Sequence, residues 1–134
     1  MANVGFVGLG HMGLPMAINL IKKGHVVTGF DLQPQAMQIF EAQGGKPAAH
    51  IEEVGRDKEV VFTMLQTGEQ VHGVCLGEGG LFGVMPKGSL YIDCSTSGIA
   101  AVTVLHEEAA KHGLLCLDAP VSGGSGGASD GKLT

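Results

Sequence analysis

Short apolar runs alternate along the chain with segments whose apolar residues recur at helical spacing. The runs predict buried strands, and they are Val4–Val7, Val26–Phe30, a short Lys46–Ala49, Glu59–Leu65, Leu90–Cys94 and Leu114–Leu117. The intervening segments predict helices: one with Met16, Ala17, Leu20 and Ile21 on its apolar face, one from Pro34, a brief His50–Val54, a turn at Glu69–Val74, and one with Ile99, Val102, Leu105 and Ala109. This alternation predicts an α/β fold with a mainly parallel sheet and right-handed crossovers.

The first strand leads directly into a glycine loop. Gly8, Gly10 and Gly13 are spaced as G-x-G-x-x-G, and the first predicted helix follows them. In a strand–loop–helix unit the first glycine permits a tight turn and the second admits a pyrophosphate; the third lets the helix pack on the strand. With 23 glycines in 134 residues the spacing alone is weak evidence. Its position between a strand and a helix predicts a Rossmann-type, doubly wound domain of three layers.

An acidic residue follows the second strand at the place where this fold binds a ribose. Asp31 comes 18 residues after Gly13 (31 − 13) and can accept hydrogen bonds from a ribose 2′-hydroxyl. The alternative is that Asp31 only caps a turn before Pro34. Because its carboxylate would repel a 2′-phosphate and its neighbour is Leu32, not arginine, the pattern favours NAD over NADP.

In parallel sheets the ligand lies beyond the carboxyl ends of the strands. We therefore expect four segments to meet at one rim: 8–13, Asp31, Met64–Thr67 and Ser95–Ser97. The glycine-rich stretch Gly77–Gly83 predicts a loop with one or two turns. The region from Asp118 to Gly131 has, by composition alone, the character of a flexible linker.

Composition and charge limit the other classes of function. The length is that of one domain, 1–134, and the net charge of −5 with no basic patch argues against nucleic-acid or membrane-surface binding. The sequence contains neither a recognisable signal peptide nor an apolar run of about 20 residues. Three cysteines without C-x-x-C spacing, two of them in predicted buried strands, indicate a reducing compartment: the cytoplasm, or the mitochondrial matrix if the source is eukaryotic. No metal site is predicted.

Four motifs together resemble the β-hydroxyacid dehydrogenases. They are G-F-V-G-L-G-H-M-G-L-P-M-A at the start, T-M-L at Thr63–Leu65, D-C-S-T at Asp93–Thr96 and D-A-P-V-S-G-G at Asp118–Gly124. The resemblance covers the whole chain. Its continuation to K-L-T looks most like the 3-hydroxyisobutyrate dehydrogenases, and the tartronate semialdehyde reductases share most of it. The resemblance implies that the tail is part of a site and not a linker.

The resemblance also implies roles for individual residues. Ser122, Gly123 and Gly124 match the loop that holds the substrate's carboxylate and hydroxyl, and Thr96 matches a contact to the nicotinamide ribose. The family more often has proline at the position of Gln66. The implied cofactor-binding set is Gly8, Leu9, Gly10, His11, Met12, Gly13, Asp31, Leu32, Met64, Leu65, Gln66 and Thr96.

The implied activity is NAD-dependent oxidation of a small 3-hydroxy acid to its semialdehyde, with 3-hydroxyisobutyrate, an intermediate of valine catabolism, as the first candidate. The family's catalytic lysine lies in a helical second domain that we expect beyond Thr134, so we expect no catalytic residue in this chain. None of the six histidines is placed to replace it. The expected partners are a small carboxylate substrate and, for the full-length enzyme, further copies of itself.

Two other functions remain open at the level of sequence. The chain could be a stand-alone dinucleotide-binding module without catalysis, and whether the gene continues past Thr134 distinguishes this from the enzyme. A flavin or another nucleotide could also use the same glycine loop, and calorimetry with NAD and FAD distinguishes these ligands.

Overall fold

A computed structural model describes residues 1–95, 99–121, 127–129 and 131 of the 134-residue chain. The strands are β1 (Asn3–Val7), β2 (Val26–Phe30), β3 (Lys46–Pro47), β4 (Val60–Thr63), β5 (Leu90–Asp93) and β6 (Leu115–Asp118). The helices are α1 (Gly13–Lys22), α2 (Pro34–Ala42), α3 (Ile51–Gly55), α4 (Gly68–Cys75), α5 (Leu81–Val84) and α6 (Ile99–Lys111).

The six strands form one sheet in the order β3-β2-β1-β4-β5-β6, and every neighbouring pair is parallel. The chain winds outward from β1 to one edge, returns, and winds from β4 to the other edge. The strand order therefore reverses between β1 and β4, the switch point at which open α/β sheets bind ligands. The predicted Rossmann-type, doubly wound fold is confirmed.

Helices cover both faces of the sheet, as the three-layer prediction requires. On one face Val4, Phe6 and Val27 pack against Ala17 of α1 and Phe40 of α2. The other face is covered by α3 to α6. Its core contains Val7, Val54, Val61, Val71, Cys75, Leu81, Phe82, Tyr91, Leu105 and Ala109 with three further buried residues. The side chains of β1 and β4 alternate between these cores because successive strand residues point to opposite faces.

The segment Gly77–Gly83, predicted as a loop with one or two turns, ends in a helical turn. Its last three residues belong to α5. Leu81 and Phe82 are buried in the core, and this burial stabilises a helical turn that a four-residue apolar pattern is too short to predict. Cys116 differs from its prediction as a residue of a buried strand, because it is half-buried in the edge strand β6. No helix in the described part of the chain has the length and apolarity to cross a membrane.

Part of one sheet face carries apolar side chains that no described helix covers fully. The register aligns Val60 with Leu90 and Leu115, and Phe62 with Ile92 and Leu117. The side chains of β4 and β5 in this group are half-buried, whereas Leu115 and Leu117 on the edge strand are 61% and 49% exposed. We call these six residues the apolar face.

Candidate functional site

The loop between β1 and α1 is shaped by two glycines that touch backbone. Gly8 has φ = 100°, and a Cβ atom there would overlap the carbonyl oxygen of Met64. A Cβ atom on Gly13 would overlap the carbonyl oxygen of Gly8. Because neither glycine has a side chain, the loop can turn sharply against the end of β4, and α1 can start close to the loop. These close contacts are the physical reason for the first and third glycines of the motif.

The middle glycine has a different environment. A Cβ atom on Gly10 would meet no protein atom within 4 Å, and Gly10 lies on the wall of an open cavity. The N-cap residue Met12 makes no side-chain hydrogen bond to the start of α1. There is thus open space beside Gly10, and the N-terminus of α1 has no side-chain cap. In this fold a pyrophosphate occupies such a space and binds at such a helix N-terminus.

Asp31 joins the end of β2 to the glycine loop. Its Oδ2 accepts a hydrogen bond of 2.7 Å from the Leu9 N–H, and its Oδ1 accepts one of 2.8 Å from the Gln33 N–H. The second bond is the turn-capping contact of the alternative interpretation. Asp31 nevertheless lines the cavity, so its capping role and a contact to a ribose are compatible.

The opposite wall is formed by the segment that follows β4. The Leu65 N–H donates to Ser95 Oγ at 2.8 Å, and the Gln66 N–H donates to Gln70 Oε1 at 2.9 Å. Thr67 and Gln70 also form a capping box at the start of α4. These bonds fix the backbone from Leu65 to Thr67 without help from a ligand.

The two walls enclose a cavity of about 660 Å³. Eight residues of the predicted cofactor set line it: Gly8, Leu9, Gly10, Asp31, Leu32, Met64, Leu65 and Gln66. His11, Met12 and Gly13 lie beside it, at and just before the start of α1. Thr96, Ser122, Gly123 and Gly124 lie outside the described residues, so their predicted roles stay predictions.

Seven lining residues were absent from the sequence-based set: Val7, Phe30, Gln33, Ala36, Ile51, Gln70 and Val74. Gln70 carried a usable signal, since Thr67 and Gln70 have the T-x-x-Q spacing of a capping box. The apolar members carried none, because a strand or helix pattern does not tell a cavity-facing apolar residue from a core residue.

The histidines have other environments. His25 Nδ1 accepts from the Ala2 N–H at 3.0 Å, and His72 Nε2 lies 3.0 Å from the Ala101 carbonyl. His106 pairs with Asp118, and His112 Nδ1 contacts the Glu108 carbonyl. His11 and His50 are exposed. None of these six side chains lines the cavity, and the described residues contain no cluster of ligands suited to a metal ion.

The site fits a dinucleotide. Open space at Gly10 and the start of α1 suit the two phosphates, and the carboxylate of Asp31 suits a ribose diol. Apolar side chains such as Ile51 and Val74 give the cavity walls that a planar base can contact. The fold and this site define a dinucleotide-binding domain.

Comparison with known proteins gives the family. Residues 3–134 match the family described as the NAD binding domain of 6-phosphogluconate dehydrogenase, and the chain belongs to that family. The predicted membership of the β-hydroxyacid dehydrogenase group and the predicted cofactor, NAD, are thereby confirmed.

Among its relatives, the chain is 45% identical over all 134 residues to a 3-hydroxyisobutyrate dehydrogenase of Pseudomonas aeruginosa, of which it covers 45%. It is 40% identical to an NAD-dependent L-serine dehydrogenase of the same organism, with the same coverage of both chains. A solved 3-hydroxyisobutyrate dehydrogenase of Mycobacterium tuberculosis, with L-serine, is 39% identical with a TM-score of 0.91, covering 99% of this chain and 45% of that one. The chain thus spans less than half the length of these relatives.

Proposed function

We propose that the chain is the cofactor-binding domain of an NAD-dependent dehydrogenase that oxidises a small 3-hydroxy acid to its semialdehyde. The observation that carries the proposal is the cavity between the glycine loop and the end of β4, which combines open space at Gly10 with the carboxylate of Asp31. The similarity of the whole chain to hydroxy-acid dehydrogenases supports the proposed class of reaction.

The chemistry divides between this domain and groups outside the described residues. When bound, NAD supplies the acceptor for the hydride that leaves the carbinol carbon. The hydroxyl proton must pass to a general base as the carbonyl forms. We assign that base to the family lysine predicted beyond Thr134, and the substrate carboxylate to Ser122, Gly123 and Gly124. The described residues bind and orient the cofactor.

For the substrate we propose 3-hydroxyisobutyrate, which would place the enzyme in valine catabolism. L-Serine is the second candidate, because a relative 40% identical to the chain is named as an L-serine dehydrogenase. Both are small acids with a hydroxyl on the β carbon, so the same carboxylate loop could hold either. We further propose a reducing compartment, the cytoplasm or the mitochondrial matrix, which is consistent with the three free cysteines of the described chain.

The test is a dehydrogenase assay on the full-length gene product with NAD and NADP. The substrates are 3-hydroxyisobutyrate, L-serine and L-threonate, with tartronate semialdehyde assayed in the reducing direction. We expect the highest kcat/KM for 3-hydroxyisobutyrate with NAD, and its loss in Ser122→Ala. An enzyme that prefers L-serine would replace the substrate but keep the reaction class. Lack of NAD-dependent oxidation of every acid would contradict the proposal and favour a binding module.

A further inference from the structure

A chain of hydrogen bonds runs through the buried side of β4 and β5, just beneath the cavity rim. Thr63 Oγ1 donates to Asp93 Oδ1 at 3.0 Å, and Tyr91 Oη lies 2.6 Å from Thr63 Oγ1. Tyr91 and Thr63 are fully buried and Asp93 is 2% exposed. Three polar side chains thus form one line in the core.

The direction of these bonds follows from the number of protons. A carboxylate only accepts, so the single hydroxyl proton of Thr63 is committed to Asp93. Tyr91 must therefore donate its hydroxyl proton to Thr63 Oγ1.

The line ends at two segments of the rim. Asp93 Oδ1 also accepts the Ser95 N–H at 3.0 Å, and Ser95 Oγ accepts the Leu65 N–H at 2.8 Å. Leu65 lines the cavity, and Ser95 directly precedes Thr96, a predicted cofactor contact. Neither Thr63 nor Tyr91 lines the cavity, so any effect they have on a ligand passes through these neighbours.

We propose that Thr63 and Tyr91 are positioning residues, which hold Leu65 and Ser95 where this rim contacts the cofactor. The inference rests on the proposed function of the cavity. Apolar residues of the same shape would fill the core without the cost of burying polar groups, whereas a satisfied polar network fixes a single geometry. The network connects that geometry to both rim segments at once.

The test is NAD binding by the wild-type chain and by Thr63→Val, which keeps the shape of the side chain but removes the hydroxyl. At a temperature where both are folded, we expect Thr63→Val to weaken NAD binding about fivefold, because loss of the hydroxyl breaks the bonds to both Asp93 and Tyr91 and loosens the rim that they hold. Amide hydrogen exchange at Leu65 should become faster, and Thr63→Ser should restore both values. The matched control is Ser89→Ala. Ser89 is also buried and donates to the Pro86 carbonyl at 2.6 Å, but it precedes the first residue of β5, whereas the rim lies at the carboxyl end of that strand. The Ser89→Ala substitution should lower the Tm without changing NAD affinity.

Wild-type NAD affinity in Thr63→Val, with only a lower Tm, would overturn the inference. If Thr63→Val does not fold, Tyr91→Phe gives the same readouts, since it keeps the ring that packs on Phe82 with centroids 5.0 Å apart. Unchanged NAD affinity and Leu65 exchange in folded Tyr91→Phe would likewise overturn it. Failure of the wild-type chain to bind NAD would instead contradict the cofactor site itself.

Discussion

Asp31 Oδ2 accepts the backbone N–H of Leu9 at 2.7 Å, so one carboxylate both shapes the glycine loop and faces the cavity beside it. The contact joins the ends of β1 and β2, beside the switch point between β1 and β4. A residue in this position influences the site in two ways, through the loop and through its charge. Substitutions can separate these two effects.

The charge of Asp31 should determine the preference for NAD. We expect Asp31→Ala to weaken NAD binding roughly tenfold, the effect of losing hydrogen bonds to a charged group, and to weaken NADP binding much less. Asp31→Asn keeps an oxygen that can accept from Leu9 but removes the charge, so NADP binding should improve. Calorimetry with both cofactors measures these effects.

Glu59 provides the control for this comparison. Its Oε2 accepts the Asn3 N–H at 2.8 Å, the same kind of bond at the opposite end of the sheet. Glu59→Ala should leave the affinities for both cofactors unchanged. Equal losses of NAD and NADP binding in Asp31→Ala would refute the assignment of cofactor preference to this carboxylate.

The glycines of the loop should separate cofactor binding from folding. Gly10→Ala adds a methyl group that meets no protein atom, so the free energy of unfolding should barely change. NAD affinity should nevertheless fall by about tenfold, or roughly 1.4 kcal/mol, because that methyl group occupies the space of the pyrophosphate. Gly13→Ala should instead destabilise the fold by about 2 kcal/mol, since its methyl group overlaps the Gly8 carbonyl.

Gly83 is the matched control for Gly10. It also has no protein atom within 4 Å of an added Cβ, but it lies on α5, none of whose residues lines the cavity. Gly83→Ala should raise stability by about 0.4–1 kcal/mol, because it reduces the freedom of the unfolded chain, and leave NAD binding unchanged. Normal NAD binding by Gly10→Ala would contradict the assignment of the loop to the pyrophosphate.

The buried cysteines should make the protein less stable at high pH. Burial raises the pKa of Cys75 to about 12 and that of Cys94 to about 11, from an ordinary value of 9.0. The unfolded thiols therefore lose protons at a lower pH than the folded ones. The stability that these thiols contribute should be fully present below about pH 9 and be lost as the pH rises toward 11–12. Denaturant titrations between pH 8 and 10.5 check this.

Cys94→Ala should reduce the slope of that pH dependence, because it removes one of the shifted thiols. The native protein should also react slowly with iodoacetamide at pH 8, since about one thiol in 1,000 with a pKa of 11 is ionised there. Rapid labelling of Cys94 in the native state would show that its thiol is neither protected nor shifted.

The apolar face should cause self-association of this chain. Leu115 and Leu117 expose large side chains on the edge strand β6, next to the half-buried Phe62 and Ile92. Contiguous exposed apolar surface and an open strand edge both favour association. Leu117→Lys should shift light scattering toward the monomer. Ile39→Lys, at an equally exposed site (49%) on α2, should not. A wild-type chain that is monomeric at all concentrations would count against this prediction.

Much of the fold could be predicted from the sequence because its signals are local. Strands such as Val26–Phe30 are short runs of mainly apolar residues, and Gly8, Gly10 and Gly13 lie within one short stretch of the sequence. Right-handed crossovers then restrict how the parallel strands can be connected, whereas their order, with its reversal between β1 and β4, comes from the structure.

The features that were missed depend on contacts between distant residues. The helical turn α5 exists because Leu81 and Phe82 are buried in the core. An apolar pattern of four residues is too short to predict a helix there. The bond between Thr63 and Tyr91 joins residues 28 positions apart, and only the register of β4 and β5 brings them together. The residues that complete the cavity, such as Ile51, look like core residues in the sequence.

The most direct test of the cofactor site is a calorimetric titration of this chain with NAD, in parallel with Gly10→Ala. We expect saturable binding with one NAD per chain, no comparable heat with FAD, and a clear loss of affinity in the variant. Absence of NAD binding by the folded wild-type chain, or equal binding by Gly10→Ala, would contradict the claim that the cavity beside the glycine loop is the cofactor site.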